Sequence, residues 1–221
     1  MSYQAVLFDF DFTLADASDS IVECLNHGLA GLGHPARPAG ELKATIGMSL
    51  EEVYPACTGD LSQEGAQRFV ELFLHRADQI MTAGTRFFDD TIPTLRQLRR
   101  LGVKVAIVST KERYRIGEAL EKYRVAHLVD CVVGAEDVQA HKPDPQGIYQ
   151  AARRLDLPTG GLLFVGDSLY DAGAARNAGV DFVAVTTGTT PPGAFADYPH
   201  RAVVPSLTAL MDQIFCATAL E

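Results

Sequence analysis

The amino-acid sequence predicts an α/β protein: a mainly parallel sheet with helices on both faces, and a small all-helical unit inserted after the first strand. Three observations carry this prediction. Short continuous apolar runs recur along the chain, they alternate with segments of helical spacing, and the alternation is interrupted once, over residues 17–81. Strands buried on both faces of a parallel sheet read as unbroken apolar runs, and their alternation with helices builds such sheets.

The first run, residues 5–10, leads into Asp9 and Asp11. In regular pleat the two carboxylates share one face and Phe10 takes the other, whereas a break after Asp9 gives them separate positions. The interruption comes next. It has apolar helical spacing over 21–29, 50–54 and 69–80, with Gly, Pro and Ser between and no convincing strand. A segment of that length is long for one crossover. The expected division is therefore 1–16 and 82–221 for the α/β core, and 17–81 for a helical cap.

After the insertion the alternation resumes. Ile92, Leu95, Leu98 and Leu101 are spaced by three and predict a helix over 91–101, followed by a strand over 103–108 (VKVAIV). A helix is expected over 114–123, a strand over 129–133, a helix over 146–155, and strands over 161–165 and 180–185. Residues 186–200 are rich in turn formers and read as a loop. VVPSLTALMDQI then reads as a short strand and a terminal helix.

Composition narrows the function. With 221 residues, 47% of them hydrophobic, the chain can bury a large core and is not a disordered protein. The excess of 28 acidic over 19 basic residues, a net charge of -9, excludes a nonspecific nucleic-acid binder. It leaves room for a small anionic ligand held by a few local donors. Cys24, Cys57, Cys131 and Cys216 form no CxxC pair and no metal-ligand spacing, so buried free thiols in a reducing compartment are expected. The first apolar run is short and no basic segment precedes it, and no stretch approaches the ~20 apolar residues of a membrane span. The expectation is a soluble, cytoplasmic protein with no membrane partner.

The chemistry gathers at strand ends. Asp9 and Asp11, Ser109 and Thr110, and Gly166 with Asp167 each follow an apolar run. Ligands of open α/β sheets bind outside the carboxyl ends of the strands, so these groups predict one shared site. In phosphoryl transfer Asp9 suits the nucleophile, and Asp11 the acid toward the leaving oxygen and the base toward water. Two adjacent carboxylates repel each other and a phosphate, so the site demands cations. A helix starting between Asp167 and Asp171 would bring both to one cavity. Oxygen ligands without a Cys or His cluster favour Mg²⁺. Ser109 and Thr110 could bind phosphate oxygens. Lys142, stiffened by Pro143 and Pro145, could offset negative charge on the transferred group. Each cluster has a plain alternative: helix capping for Asp167, Ser168, Ser109 and Thr110, and a solvated surface for Lys142.

DFDFT at 9–13, ST at 109–110, KP at 142–143 and GDSLYD at 166–171, in that order, resemble the haloacid dehalogenase-like superfamily in its phosphatase branch. The resemblance implies a Rossmann-like core with 17–81 as its helical cap, and Mg²⁺ held by the Asp9 carboxylate, the Asp11 main-chain carbonyl and Asp167. It implies an aspartyl-phosphate on Asp9, phosphate oxygens held by Ser109, Lys142 and the amides after the nucleophile, and Asp171 orienting Lys142 or metal waters. Thr13 would help to fix the Asp9 loop. Dehalogenases and phosphonoacetaldehyde hydrolases lack a carboxylate at the position of Asp11, so its presence favours phosphoester chemistry.

Phe12 departs from the family, which usually has glycine there. It implies either a backbone kept in ordinary φ/ψ space with the ring tucked into the core or cap interface, or a narrower substrate range and slower turnover. TKERYRIGEALEKY, VGAEDVQAHKPDP and AARNAGVDFVAVTTG look most similar to phosphoglycolate phosphatases and their relatives, which include pyrophosphatases and β-phosphoglucomutase-like enzymes. The resemblance assigns substrate choice to the cap. Its polar candidates are Arg37, Lys43, Thr45, Arg68, His75 and Arg76, and its loop TIGMS (45–49) would reach the substrate through a turn at Gly47. The expected partner is a small phosphorylated metabolite, acted on by a monomer or homodimer. A sugar-phosphate mutase, a pyrophosphatase and a noncatalytic binding module are the alternatives.

Overall fold

In a computed structural model that describes residues 3–216, the first apolar run forms strand β1 (Ala5–Phe8). It stops two residues earlier than expected because the chain turns at Phe10, whose carbonyl accepts the N–H groups of Leu14 at 2.9 Å and Ala15 at 3.0 Å. The two-residue strands β2 (Ala15–Asp16) and β3 (Arg86–Phe87) mark where the chain leaves for the helical segment and returns. Strands β4 (Lys104–Val108), β5 (Cys131–Val133), β6 (Leu162–Gly166), β7 (Asp181–Val185) and β8 (Ala202–Val204) complete the main sheet. Its order is β5-β4-β1-β6-β7-β8 and every pairing is parallel. The fold is a Rossmann-like α/β fold.

Along each strand the side chains alternate between two cores. Val6, Phe8, Val105, Ile107, Leu163 and Val165 face one layer. Ala5, Leu7, Ala106, Val108, Leu162 and Phe164 face the other. Both faces are therefore dry, which is why the strand sequences show no polar alternation. Helices lie between the strands in sequence, including α5 (Thr91–Arg100), α6 (Arg113–Lys122), α7 (Gln146–Leu155) and α8 (Leu169–Ala178). Leu95, Leu98, Ile116 and Leu120 fill the first layer, and Ile148, Ala151, Ala172 and Ala175 fill the second. The terminal helix is a single turn, Leu207–Leu210, continued by a π-helical turn over Met211–Cys216.

The chain divides into two compact units, one of Met1–Asp16 with Phe87–Glu221 and one of Ala17–Arg86. The return falls at Phe87 rather than at 82, because the last helix of the second unit runs to Gly84. That unit holds α1 (Ser18–Gly31), α2 (Ala39–Lys43), α3 (Leu50–Thr58) and α4 (Gln63–Gly84). Ile21, Leu25 and Leu29 pack with Phe69, Phe73, Ala77 and Met81 in its own core. α1 carries Gly28 where it meets Phe69, and a Cβ there would stand 2.8 Å from the ring. α2 is too short to announce itself by periodicity, and the sequence reading has no helix there.

Among the cysteines, Cys24 and Cys57 are buried as expected, but Cys131, on the edge strand β5, is only half-buried. The side chain of Cys216 lies outside the described residues. Among the described residues no helix is long and apolar enough to cross a membrane.

Phe12 corrects one expectation. Its φ is +61°, so the backbone adopts the left-handed region without glycine to ease it. Local bonds impose that geometry: Phe12 N–H donates to the Ala15 carbonyl at 2.7 Å, and the Thr187 hydroxyl donates to the Phe12 carbonyl. A non-glycine residue held there costs about 1–2 kcal/mol. The ring is buried, but it belongs to none of the three core clusters.

Candidate active site

At the carboxyl edge of the sheet, β1 and β6 are neighbours, and each delivers an aspartate just past its end. Asp9 extends the ladder by one bond, its N–H donating to the Val165 carbonyl at 2.9 Å. Asp11 follows on the turn, so the two carboxylates are separated by a change of chain direction, as a break after Asp9 requires. Asp167 follows Gly166, the last residue of β6.

Ser168 then caps α8. Its hydroxyl accepts the Asp171 N–H at 3.2 Å, while Asp171 Oδ2 accepts the Ser168 N–H at 3.0 Å and its hydroxyl at 2.6 Å. This reciprocal cap fixes Asp171 rigidly. Its other oxygen, Oδ1, accepts from Lys142 Nζ at 2.5 Å. Capping and site building are therefore one device here, not alternatives.

Lys142 is buried, so it is not a solvated surface residue, and its ammonium also lies 2.8 Å from Asp9 Oδ1. The one ammonium therefore pairs with both the Asp9 and the Asp171 carboxylates. Burial opposes the charge on Lys142, but the Asp171 and Asp9 carboxylates more than offset it and raise its pKa. For Asp167, burial acts first and the Asp171 and Asp9 charges add to it, so its pKa stands well above the usual carboxylate range. Burial likewise raises Asp11, and its ion pair with Lys111 cancels only part of the effect.

Thr13 donates to Asp167 Oδ1 at 3.3 Å and so ties the turn after β1 to the end of β6. Ser109 and Thr110 line one small cavity together with His141 and Lys142. Asp9, Asp11, Thr13, Ser109, Thr110, Lys142, Asp167 and Asp171 all belong to the first unit. Gly47 belongs to the second, in the 45–49 loop, where its φ of +107° requires glycine. The polar candidates of that unit mostly have structural partners within it. Lys43 pairs with Asp19, Arg68 with Glu71, Arg76 with Glu23, and Thr45 donates to the Leu42 carbonyl. Arg37 donates to Glu41 and to the Cys57 carbonyl.

Two contributors are absent from the sequence reading. Lys111, buried one residue after Thr110, donates to both Asp11 oxygens at 3.0 and 2.8 Å. The available signal was a lysine directly after the strand-end hydroxyls. Gly188 lies against Asp167, and a Cβ there would stand 1.8 Å from Oδ2. Within a loop rich in turn residues that glycine carried no separate signal.

The donor set fits a divalent cation. One oxygen from each of Asp9, Asp167 and Asp171 lies within 4.8 Å of the others. Four carboxylates face two ammoniums, Lys111 and Lys142, which leaves a formal excess of two negative charges. An all-oxygen set of buried carboxylates suits Mg²⁺. Both Asp171 oxygens already accept hydrogen bonds, which favours Asp9 and Asp167 as the ligands and Asp171 as the group that orients Lys142.

Comparison with known proteins finds relatives along most of the chain. Residues 6–185 match the family model described as haloacid dehalogenase-like hydrolase. A protein of Cupriavidus necator named phosphoglycolate phosphatase, plasmid, is 34% identical over 93% of this chain and 90% of its own length. A phosphoglycolate phosphatase of Nitrosospira multiformis is 30% identical, covering 92% of each chain. Among solved structures, a haloacid dehalogenase-like protein from Bacteroides fragilis superposes with a TM-score of 0.92 at 39% identity, over 95% of this chain and 100% of that one.

Proposed function

The chain belongs to the haloacid dehalogenase-like hydrolase family, and from that premise we propose that it is a Mg²⁺-dependent phosphatase that hydrolyses a small phosphate monoester through a phosphorylated Asp9. The observation that carries the proposal is Asp9 Oδ1: buried, 2.8 Å from the Lys142 ammonium, and on a carboxylate clustered with Asp167 and Asp171. A carboxylate oxygen placed so is both desolvated and available to attack.

In the proposed reaction an Asp9 oxygen attacks phosphorus as the bond to the leaving oxygen breaks, and Asp11 gives that oxygen its proton. Asp11 then takes a proton from water, the resulting hydroxide attacks phosphorus, and the Asp9–phosphorus bond breaks to release inorganic phosphate and restore Asp9. Lys142 and the hydroxyls of Ser109 and Thr110 hold the phosphate oxygens, and Thr13 keeps the Asp9 turn against Asp167. The Asp9 carboxylate, the Asp11 carbonyl and Asp167 would hold Mg²⁺, which supplies charge neutralisation for the phosphoryl group when bound.

The names of the relatives make phosphoglycolate the first substrate to test. We assign substrate selection to the second unit, read as the cap, and within it to the turn at Gly47. A cytoplasmic location agrees with the free thiols of Cys57 and Cys131.

Phosphate release should be screened across phosphoglycolate, pyrophosphate, nucleoside monophosphates and sugar phosphates, with Mg²⁺ or EDTA, for the wild type and Asp9→Asn. Release that needs Mg²⁺, disappears in Asp9→Asn and carries ¹⁸O from labelled water supports the reading. Equal activity of the two proteins defeats it, and isomerisation of a hexose phosphate without label assigns a mutase instead.

A further inference from the structure

We propose that Lys111 is a positioning residue: its ammonium holds the Asp11 carboxyl group where it can meet the leaving-group oxygen. The proposal rests on the phosphatase reading above, and it concerns a residue that this reading does not use.

Asp11 needs such support. It lies beyond the end of β1, on a turn, with the left-handed Phe12 next to it. Its backbone pairing is an isolated bridge to Ala15, which leaves the side chain to be held by other contacts. Among the described residues the Asp11 carboxylate accepts hydrogen bonds from one side chain only, and both of its oxygens accept from the same Lys111 Nζ, at 3.0 and 2.8 Å. A single donor within reach of both oxygens anchors the carboxyl group in place.

Lys111 is itself held at both ends. Its carbonyl accepts the Ala135 N–H at 3.1 Å, and its N–H meets Ser109 Oγ at 3.4 Å. Its ammonium sits 5.7 Å from the centroid of the fully buried Phe10 ring, a cation–π distance. Only 6% of the lysine side chain and 13% of the aspartate side chain are exposed, so solvent does not share the contact. The two buried lysines thus divide the work. Lys142 serves Asp9 and Asp171, whereas Lys111 serves Asp11 alone.

Positioning a general acid matters in proportion to how much the leaving group needs a proton. An alkyl phosphate such as phosphoglycolate expels a basic alkoxide and needs it. p-Nitrophenyl phosphate expels a stable phenolate and needs it far less. The test measures kcat on both compounds, with Mg²⁺, for the wild type, Lys111→Met, Lys111→Arg, Asp11→Asn and the double variant Lys111→Met/Asp11→Asn.

The expected result is a loss of about 30-fold or more on the alkyl phosphate for Lys111→Met, at least tenfold greater than its loss on p-nitrophenyl phosphate, with partial recovery in Lys111→Arg. In the Asp11→Asn background the Lys111 change should alter the alkyl rate less than about twofold, because a residue that acts through another has nothing left to act on. Equal losses on both compounds, or additive losses in the double variant, overturn the proposal while leaving the phosphatase reading standing. A wild type inactive on both compounds overturns the two together. If Lys111→Met misfolds, Lys111→Arg alone decides: an unchanged ratio of the two rates overturns the proposal, and a lowered ratio supports it.

Discussion

Asp171 accepts the Lys142 ammonium on one oxygen and caps helix α8 with the other, so the start of that helix and the placement of the lysine are set by one buried carboxylate. The side chain is fully buried and its neighbour Gly166 has no room for a Cβ, which would fall 2.4 Å from the carboxyl carbon.

Removing the lysine from that arrangement leaves Asp9 and Asp171 buried without their cation. Lys142→Met is therefore expected to abolish phosphate release and to lower unfolding free energy by about 3–5 kcal/mol, the usual cost of stripping one partner from a buried ion pair. Urea denaturation of the metal-free proteins would read the second effect. A loss below about 1 kcal/mol contradicts it.

Asp167→Asn should act in the opposite sense. Burial, and then the charges of Asp171 and Asp9, raise the pKa of Asp167 in the folded protein, so its contribution to stability is favourable below the unfolded carboxylate pKa and is lost as pH rises. At neutral pH the variant is expected to be more stable than the wild type without metal, a sign that urea denaturation would read. Differential scanning fluorimetry should also show that Mg²⁺ raises the melting temperature of the wild type and not that of the variant. An equal metal-dependent shift in both would remove Asp167 from the ligand set.

Phe12→Gly separates strain from packing. Glycine relieves about 1–2 kcal/mol at φ +61°, but deleting the buried ring costs about 3 kcal/mol, so the variant should be less stable by roughly 1–2 kcal/mol. A variant more stable than the wild type would mean that the ring contributes little packing.

Tyr3 offers an alkaline probe far from the site chemistry. Its hydroxyl donates to Asp181 Oδ2 at 2.7 Å, and burial, followed by that hydrogen bond and the Asp181 charge, pushes its pKa up to about 12 from 10.0. The folded state thus favours the neutral phenol. The associated stability is complete below pH 10 and lost as pH rises toward 12, and after allowance for solvent screening it amounts to about 1 kcal/mol. Chemical denaturation from pH 9 to 11.5 should show the decline in the wild type and a flatter profile in Tyr3→Phe.

Much of this molecule can be read along the chain because its strands are buried on both faces. VKVAIV and GLLFV stand out as apolar runs and lie within a residue of β4 and β6, and the helix over 146–155 matches α7. The strand-end residues Asp9, Ser109 and Asp167 were legible for the same reason, since polar groups directly after such runs must stand at the sheet edge. What escaped is governed by contacts distant in sequence. The turn at Phe10 depends on hydrogen bonds that form only in the folded loop. The left-handed Phe12 is held by Thr187, and Gly188 earns its place only beside Asp167. Lys111 was hidden because its partner is Asp11, 100 positions earlier.

The central place of β1 has a consequence for how the protein is made. Residues 5–8 pair on one side with 104–107 and on the other with 162–165. At ribosomal speeds roughly 10–30 s separate synthesis of the first strand from that of its second neighbour. Throughout that interval at least one edge of the strand that leads into Asp9 lacks its partner, so residues 5–8 complete their hydrogen bonds only once residues 162–165 have been made.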